Sequence, residues 1–144
     1  MSMSDVEQNW FNTFNPYGEE FETACPAYDS LDKKTQTVGS LMKLELDMRN
    51  GGFIQFFCNW GHSAYILAAD GLGQIGAHTA KKLIEEAFSV IDKYEDDERI
   101  KALWDIPKAL SDEDNVRLER LDEKYWEDED DVMRKMLSFF SNNE

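Results

Sequence analysis

The sequence predicts an all-α protein that folds as an irregular, single-domain helical bundle. Apolar residues recur at helical spacing in several segments, whereas alternating apolar and polar runs rich in Val, Ile and Thr are missing. The 144 residues are the length of one ordinary domain, and 42% hydrophobic residues are enough to bury a core. We therefore expect one domain over residues 1–144, with residues 1–27 as a loosely packed N-terminal segment.

The first predicted helix runs from about Leu31 to Met48, where apolar residues follow helical spacing and Glu45 is the polar exception. Asn50, Gly51 and Gly52 end this helix, since Asn and Gly accept the left-handed backbone conformation that is common at helix C-termini. We expect either Gly51 or Gly52 to have a positive φ.

Glycines divide the next stretch of the chain into short helices. An aromatic helix from Phe53 to about Trp60 is closed by Gly61. Ser63 is the expected N-cap of a further helical segment, which breaks around Gly71 and Gly73. We interpret these glycines as breaks between helices.

The second half contains the clearest amphipathic helix of the chain, over residues 77–91. A short helix is expected from Asp97 to Leu103, and Pro107 interrupts the segment after it. Ser111 is a good N-cap because three carboxylates succeed it at the positive end of the helix dipole. The apolar face of that helix is expected to contain Val116, Leu118, Leu121 and Tyr125. The last helix is expected to pack through Val132, Met136, Phe139 and Phe140.

The charge of the chain is its most unusual property. Thirty acidic residues against fifteen Lys and Arg give a formal net charge of −15. Residues 92–131 alone hold seventeen acids and seven bases, and therefore two-thirds of the excess. Because a nucleic acid is a polyanion that binds through Lys and Arg, direct nucleic-acid binding is not expected. A basic protein surface is the favoured partner.

The residues that could support catalysis are few. His62 and His78 are the two histidines, and neither belongs to an HExxH or ExxH arrangement. His62 beside Ser63 lacks a nucleophile-elbow motif, and His78 is interpreted as a buried or capping residue. The glycine string from Gly71 to Gly76 does not follow a predicted strand, as a dinucleotide site requires. The acidic clusters lack the glycine and the spaced glutamate of a calcium loop. We therefore expect no enzyme, no catalytic residue, no metal and no cofactor.

The sequence also predicts a cytoplasmic protein. The segment from Met1 to Trp10 has no apolar region typical of a signal peptide, and no apolar run approaches the roughly 20 residues of a membrane helix. Cys25 and Cys58 fit neither a zinc motif nor a redox pair, and we expect two reduced, buried thiols.

The stretch from Asn50 to Trp60 allows two interpretations. In the favoured one it is a corner between two helices, whose aromatic residues fill the core and whose Gln55 and Asn59 share a helix face. In the other, these two amides hold a ligand or partner. An enzyme built around Gln55, Asn59 and His78 is a third hypothesis, but the sequence offers no nucleophile, base or metal ligands for it.

Three strings, Arg49–Asn59, Ile75–His78 and Leu118–Trp126, resemble a bacterial family whose members are mostly uncharacterised. The resemblance runs from about Tyr28 to Asn142 and is most specific in the string NGGFxQFF. It implies an all-helical fold. One branch of the family has an assigned function. For a member of that branch, the resemblance implies a DNA mimic that binds a dimeric helix-turn-helix transcription factor through acidic residues. The signature residues, which we expect to define the fold, are Asn50, Gly51, Gly52, Phe53, Gln55, Phe56, Phe57, Asn59 and His78.

From the charge and the resemblance together we expect a DNA-mimic regulator that engages a basic DNA-binding protein, and the prediction allows a homodimer. The leading alternative is an immunity-type inhibitor that covers the basic cleft of another protein. The expected partner-binding residues are Asp96, Asp97, Glu98, Asp112, Glu113, Asp114, Glu119, Asp122, Glu123, Glu127, Asp128, Glu129, Asp130 and Asp131.

Overall fold

The computed structural model describes residues 4–141, and over this range the chain forms seven α-helices and no strand. The predicted all-α, single-domain fold is therefore confirmed. The helices are α1 (Asp5–Ala24), α2 (Lys33–Asn50), α3 (Phe53–Gln74), α4 (His78–Ile91), α5 (Ile106–Ala109), α6 (Asp112–Trp126) and α7 (Val132–Ser141). Short 3₁₀ turns lie at Tyr28–Ser30, Asp92–Tyr94 and Leu103–Asp105.

The N-terminal helix α1 is an integral part of the core. Trp10, Phe14 and Phe21 recur at helical spacing along α1, and all three are buried. The indole N–H of Trp10 donates to Sδ of Met136 on α7, with a separation of 3.1 Å. The interpretation of residues 1–27 as loosely packed is therefore wrong for α1, which joins both ends of the chain.

Helix α2 lies at the centre of the bundle, between α1 and α3. Val38, Leu41, Met42 and Leu44 are fully buried because they face these neighbours from both sides. At Gly39 the approach of α1 is so close that a Cβ atom would lie 2.6 Å from Cβ of Phe21. The apolar stripe predicted for this segment is thus the main packing surface of the protein.

Helix α3 is continuous except at one glycine. Gly61 has φ +87°, which interrupts the helical conformation at the predicted place. Ser63 lies two residues further on, inside the next turn, so the prediction that it caps the helix is wrong. The expected break around Gly71 and Gly73 is also wrong, because α3 continues to Gln74.

The region between α4 and α6 contains little regular structure. The helix expected from Asp97 to Leu103 does not form, and the segment consists of turns and bends. The carboxylate of Asp97 accepts hydrogen bonds from the backbone N–H and the guanidinium of Arg99 instead. Pro107 lies in the first turn of α5, where its missing N–H costs no hydrogen bond.

The two C-terminal helices agree better with their predictions. The backbone N–H of Asp114 donates to Oγ of Ser111 at 3.1 Å, which confirms the N-cap of α6. Val116 is 45% exposed, so its predicted place on the apolar face is wrong. The other three residues of that face are buried, as are Val132, Met136 and Phe140 of α7.

Both thiols are free, and no disulfide joins them. Cys58 is buried as expected, but Cys25 is exposed because it follows the last turn of α1 at the surface. Within residues 4–141, no helix is long and apolar enough to cross a bilayer.

Candidate protein-binding surface

The predicted partner-binding acids differ in their exposure to solvent. Nine of them have exposed side chains, and we call these nine carboxylates together the acidic surface; those of α6 lie on more than one face of that helix. The acidic surface consists of Asp96, Glu98, Asp112, Glu113, Glu119, Glu123, Glu127, Asp128 and Glu129. The remaining five are half-buried or buried, and most of them bind other parts of the chain.

Asp114 is the clearest of these exceptions. Its side chain is only 4% exposed, and Tyr94 donates its hydroxyl to Oδ2 of Asp114 at 2.5 Å. Nζ of Lys93 lies 2.9 Å from the same oxygen. The hydrogen bond from Tyr94 is the main reason that the pKa of Asp114 lies below its usual range. Asp114 therefore holds α6 against the turn after α4 and exposes little of its carboxylate to solvent.

Three other acids stabilise the starts of helices. Each accepts a hydrogen bond from a backbone N–H in a first helical turn, where a carboxylate also complements the helix dipole. The three bonds run from Phe53 of α3 to Asp122 (3.0 Å), from Ala80 of α4 to Asp130 (2.7 Å) and from Val132 of α7 to Asp128 (3.1 Å). Acids predicted to bind a partner thus connect α6 and the turn after it to three other helices.

Helix α6 carries its exposed charges in two separate rows. Residues three, four or seven positions apart share a face of a helix. The acids of one row are Asp112, Glu119 and Glu123, which we call the acidic edge. The bases of the other row are Arg117, Arg120 and Lys124. At 100° per residue the two rows lie about a third of a turn apart. Arg120 lies three residues before Glu123, yet within residues 4–141 no ion pair joins the acidic edge to the bases of its own helix.

The α2–α3 corner contains a buried carboxylate that sequence reasoning missed. Asp47 is only 8% exposed and accepts hydrogen bonds from three side chains. The donors are the amides of Gln55 (2.9 Å) and Asn59 (3.3 Å) and the indole N–H of Trp60 (2.8 Å). These bonds support the interpretation of the stretch as a corner, since both amides are engaged within the chain. The sequence offered no signal for it, because Asp47 lies outside the apolar stripe, whose polar exception is Glu45.

The glycines of the corner differ in backbone conformation. Gly52 has φ +84°, as expected for one of the pair, whereas Gly51 has φ −146°. A Cβ atom on Gly52 would overlap the carboxylate of Asp122. Helix α6 therefore approaches the start of α3 at a place where no side chain fits. Among the remaining signature residues the three phenylalanines are buried and Asn50 donates to Gln55 at 3.4 Å.

Comparison with protein families identifies the chain. A model of the DMP19-like proteins matches residues 29–143. The chain belongs to the DMP19-like family. The match covers almost the same residues as the resemblance inferred from the three signature strings. Comparison with curated proteins and with solved structures gives no match.

The two histidines of this DMP19-like protein are both exposed. Nδ1 of His62 lies 2.9 Å from Oε1 of Glu95, and its ring packs against Phe88. His78 is exposed as the first residue of α4, whose N-cap is Ala77 without a side-chain cap bond, so its interpretation as a buried or capping residue is wrong. In the part of the chain that the structure describes, no three His, Cys, Asp or Glu side chains are grouped as metal ligands.

Proposed function

We propose that this DMP19-like protein is a DNA mimic that binds a basic DNA-binding protein, a helix-turn-helix transcription factor, and keeps it from its DNA. The observation that carries the proposal is the acidic surface, nine exposed carboxylates within a segment of net charge −10. A surface that binds Lys and Arg in place of phosphates requires exposed carboxylates. Family membership supports the proposal at a coarser level. In this proposal the protein acts in the cytoplasm, without catalysis.

The acidic edge of α6 is the proposed centre of the contact. Its carboxylates project from a rigid helix, and the neighbouring acids hold that helix against α3 and α4. A fixed row of charges costs less entropy on binding than charges on a mobile chain. An acidic tail of the same net charge would lack this advantage.

The first experiment identifies the partner and its relation to DNA. The protein is immobilised and exposed to a lysate of its native cell, and bound proteins are eluted with rising salt or with duplex DNA. We expect DNA to elute a sequence-specific DNA-binding protein. Binding of the purified pair is expected to weaken steeply between low and physiological salt, since exposed charge pairs are screened over about 8–10 Å there.

A second experiment tests the acidic edge. Reversal of its three charges, in the triple variant Asp112→Lys, Glu119→Lys and Glu123→Lys, is expected to slow association with the partner about tenfold or more. The matched control is Glu85→Lys with Glu86→Lys, two exposed acids of α4 outside the highly charged segment, which should have a much smaller effect. Asp128 and Asp130 are left intact because they cap helices.

Three results would count against mimicry. A complex in which the partner holds this protein and its operator DNA at one site together would exclude competition. Binding that does not depend on salt would indicate an apolar contact. Elution of a partner that binds no DNA would favour the alternative, an inhibitor that covers a basic cleft.

A further inference from the structure

A cleft of about 220 Å³ opens between α2 and the C-terminal end of α6 with the turn that follows it. The acidic surface reaches it through Asp128. Its lining combines two carboxyl groups, a guanidinium, two aromatic rings and a thioether. The lining residues are Glu45, Met48, Arg49, Tyr125, Trp126 and Asp128. Three of them, Arg49, Tyr125 and Trp126, belong to the signature strings, so the family signature converges on this cleft as well as on the corner.

Glu45 is the distinctive group of the cleft. It is only 6% exposed, and its Oε2 accepts a hydrogen bond from the hydroxyl of Tyr125 at 2.6 Å. No side chain or backbone group within residues 4–141 donates to its other oxygen, Oε1, which keeps access to the cleft. Within residues 4–141 no side-chain polar atom that is sealed from solvent lacks a partner, so Oε1 is open to the cleft. An open acceptor on an otherwise buried carboxyl group can receive a donor from outside the chain.

The charges around the cleft favour a cation. Arg49 does not neutralise Glu45, because its Nη1 lies 3.1 Å from Oε2 of Glu7 and its Nη2 faces Sδ of Met133. A second cleft of about 390 Å³ shares Arg49 and Asp128 with the first. Across the two clefts the carboxyl groups outnumber the guanidinium groups. The carboxyl groups belong to Asp5, Glu7, Glu45, Asp128 and Asp131.

One wall of the cleft is a fixed aromatic ring. Trp126 is 54% exposed, yet its indole N–H donates to the carbonyl of Met48 at 2.5 Å, which holds the ring in place. An exposed tryptophan face attracts cations, and arginine is the side chain that most often stacks on it. Carboxylates beside such a ring can accept the parallel N–H groups of a guanidinium.

We propose that this cleft binds the guanidinium group of an arginine side chain from the protein partner, with Oε1 of Glu45 and the carboxylate of Asp128 as acceptors and the ring of Trp126 as the stacking face. The source of the arginine rests on the proposed function, because DNA-binding surfaces are rich in arginine. The chemistry of the cleft does not rest on it and can be tested with a small probe.

The ionisation of Glu45 supports this assignment. Burial raises the pKa of Glu45 to about 7, the neighbouring Asp128 adds to the rise, and the hydrogen bond from Tyr125 and the charge of Arg49 oppose it. A bound cation stabilises the ionised carboxylate, so binding releases a proton near neutral pH. The ionised fraction of such a group grows about tenfold from pH 6 to pH 8, and the affinity for a guanidinium should grow in proportion.

Argininamide is the probe, and the indole N–H signal of Trp126 in a ¹H–¹⁵N spectrum reports its binding. The signal is assigned with Trp126→Phe. We expect a saturable shift with argininamide, a weaker one with lysinamide and none with citrullinamide, which has nearly the same shape but a neutral urea in place of the guanidinium. Affinity for argininamide is expected to rise about tenfold from pH 6 to pH 8.

Glu45→Gln is the decisive variant because it keeps an acceptor for Tyr125 and removes the charge. It should lose both the binding and its pH dependence, whereas Glu113→Gln, an exposed acid on α6, should bind as the natural protein does. No saturable shift at pH 8, equal binding of citrullinamide, or unchanged binding by Glu45→Gln would each overturn the proposal.

The partner itself separates this proposal from mimicry. If argininamide binds and Glu45→Gln also weakens the partner complex at pH 8, the arginine belongs to the partner. If argininamide binds but Glu45→Gln leaves the partner complex unaffected, the arginine does not come from the partner. The site then binds a free guanidinium compound. If argininamide does not bind the cleft while the protein still competes with DNA for its partner, the proposal of mimicry stands without the cleft.

Discussion

The α2–α3 corner and the acidic edge of α6 use the same chemical group in opposite ways. At the corner, three side chains donate hydrogen bonds to the buried carboxylate of Asp47. Along the acidic edge, Glu119 and Glu123 lie one turn apart and face solvent. The first arrangement stabilises the fold through a carboxylate, whereas the second keeps two like charges close together at a small cost.

This difference shows why a count of acidic residues overstates the charge that a partner can reach. Five of the fourteen predicted contact residues are not fully exposed, and Asp114, Asp122 and Asp130 each accept hydrogen bonds from other elements. Removal of a structural acid should therefore affect folding, and removal of a surface acid should affect binding. Substitutions of each kind can test that separation.

The largest effect is expected at Asp47. Replacement by alanine leaves the amides of Gln55 and Asn59 and the indole of Trp60 without their acceptor. We expect a loss of about 4 kcal/mol in the free energy of unfolding, measured in urea, because each stranded donor costs about 1–3 kcal/mol and Asn59 can reach water. Glu119→Ala is the control and should change stability by less than about 0.5 kcal/mol. Equal effects of the two substitutions would contradict the comparison.

Replacement of Glu45 should raise the free energy of unfolding, whereas replacement of Asp47 should lower it. Because the folded-state pKa of about 7 lies above the ordinary value of 4.5, the folded protein binds more protons than the unfolded chain between these values. The contribution of Glu45 to stability is therefore fully present below pH 4.5 and is lost as the pH rises through 7, by about 3 kcal/mol in total. Glu45→Gln should be about 3 kcal/mol more stable than the natural protein at pH 8 and equally stable at pH 4. Unfolding curves at the two pH values decide it, and a variant that is destabilised at pH 8 would contradict the burial argument.

The two glycines of the corner provide a matched pair. Gly52→Val should lower stability by more than about 2 kcal/mol, because φ is +84° and the new side chain would overlap Asp122. Gly51→Val should lower it less, since φ is −146° and the obstacle is the amide of Gln55, which can turn aside at the cost of its bond to Asp47. Thermal unfolding of both variants gives the order, and the reverse order would show that Gly51 carries the strain.

Features that depend on neighbours in sequence could be predicted. The apolar stripe of α2, the glycine break at Gly61 and the N-cap at Ser111 all arise from residues within a few positions of one another. Helix α1 was not predicted although Trp10 and Phe14 lie one turn apart, and Pro16 inside it is an unfavourable residue in a helix. The prediction of a helix from Asp97 to Leu103 was wrong because the carboxylate of Asp97 binds the guanidinium of Arg99, two residues away.

Features that depend on residues far apart could not be predicted. Asp122 accepts a hydrogen bond from the backbone N–H of Phe53, 69 positions away in the sequence. The hydroxyl of Tyr125 donates to Glu45, which is 80 positions away. No pattern in the sequence states which helix faces which, so the capping acids looked the same as the surface acids. The glycines and amides of the stretch from Asn50 to Trp60 predicted the corner correctly, yet the cleft forms only when α2 and α6 are brought together.

The smallest predicted effect lies between two adjacent acids. Asp122 caps α3, and its pKa is raised to about 6 by burial first and then by Glu119 and Glu123. Glu123 itself is exposed and lies four residues from Glu119 and from Glu127. Glu123→Gln removes two like-charge pairs, so stability at pH 7 should rise by a few tenths of a kcal/mol. The pKa of Asp122, measured through its side-chain carbon signal in NMR, should fall. Glu113→Gln, on a different face of α6, should leave that pKa unchanged. If the pKa of Asp122 does not respond to Glu123→Gln, the acidic edge does not act on the cap of α3, and the two roles of the carboxylates are fully independent.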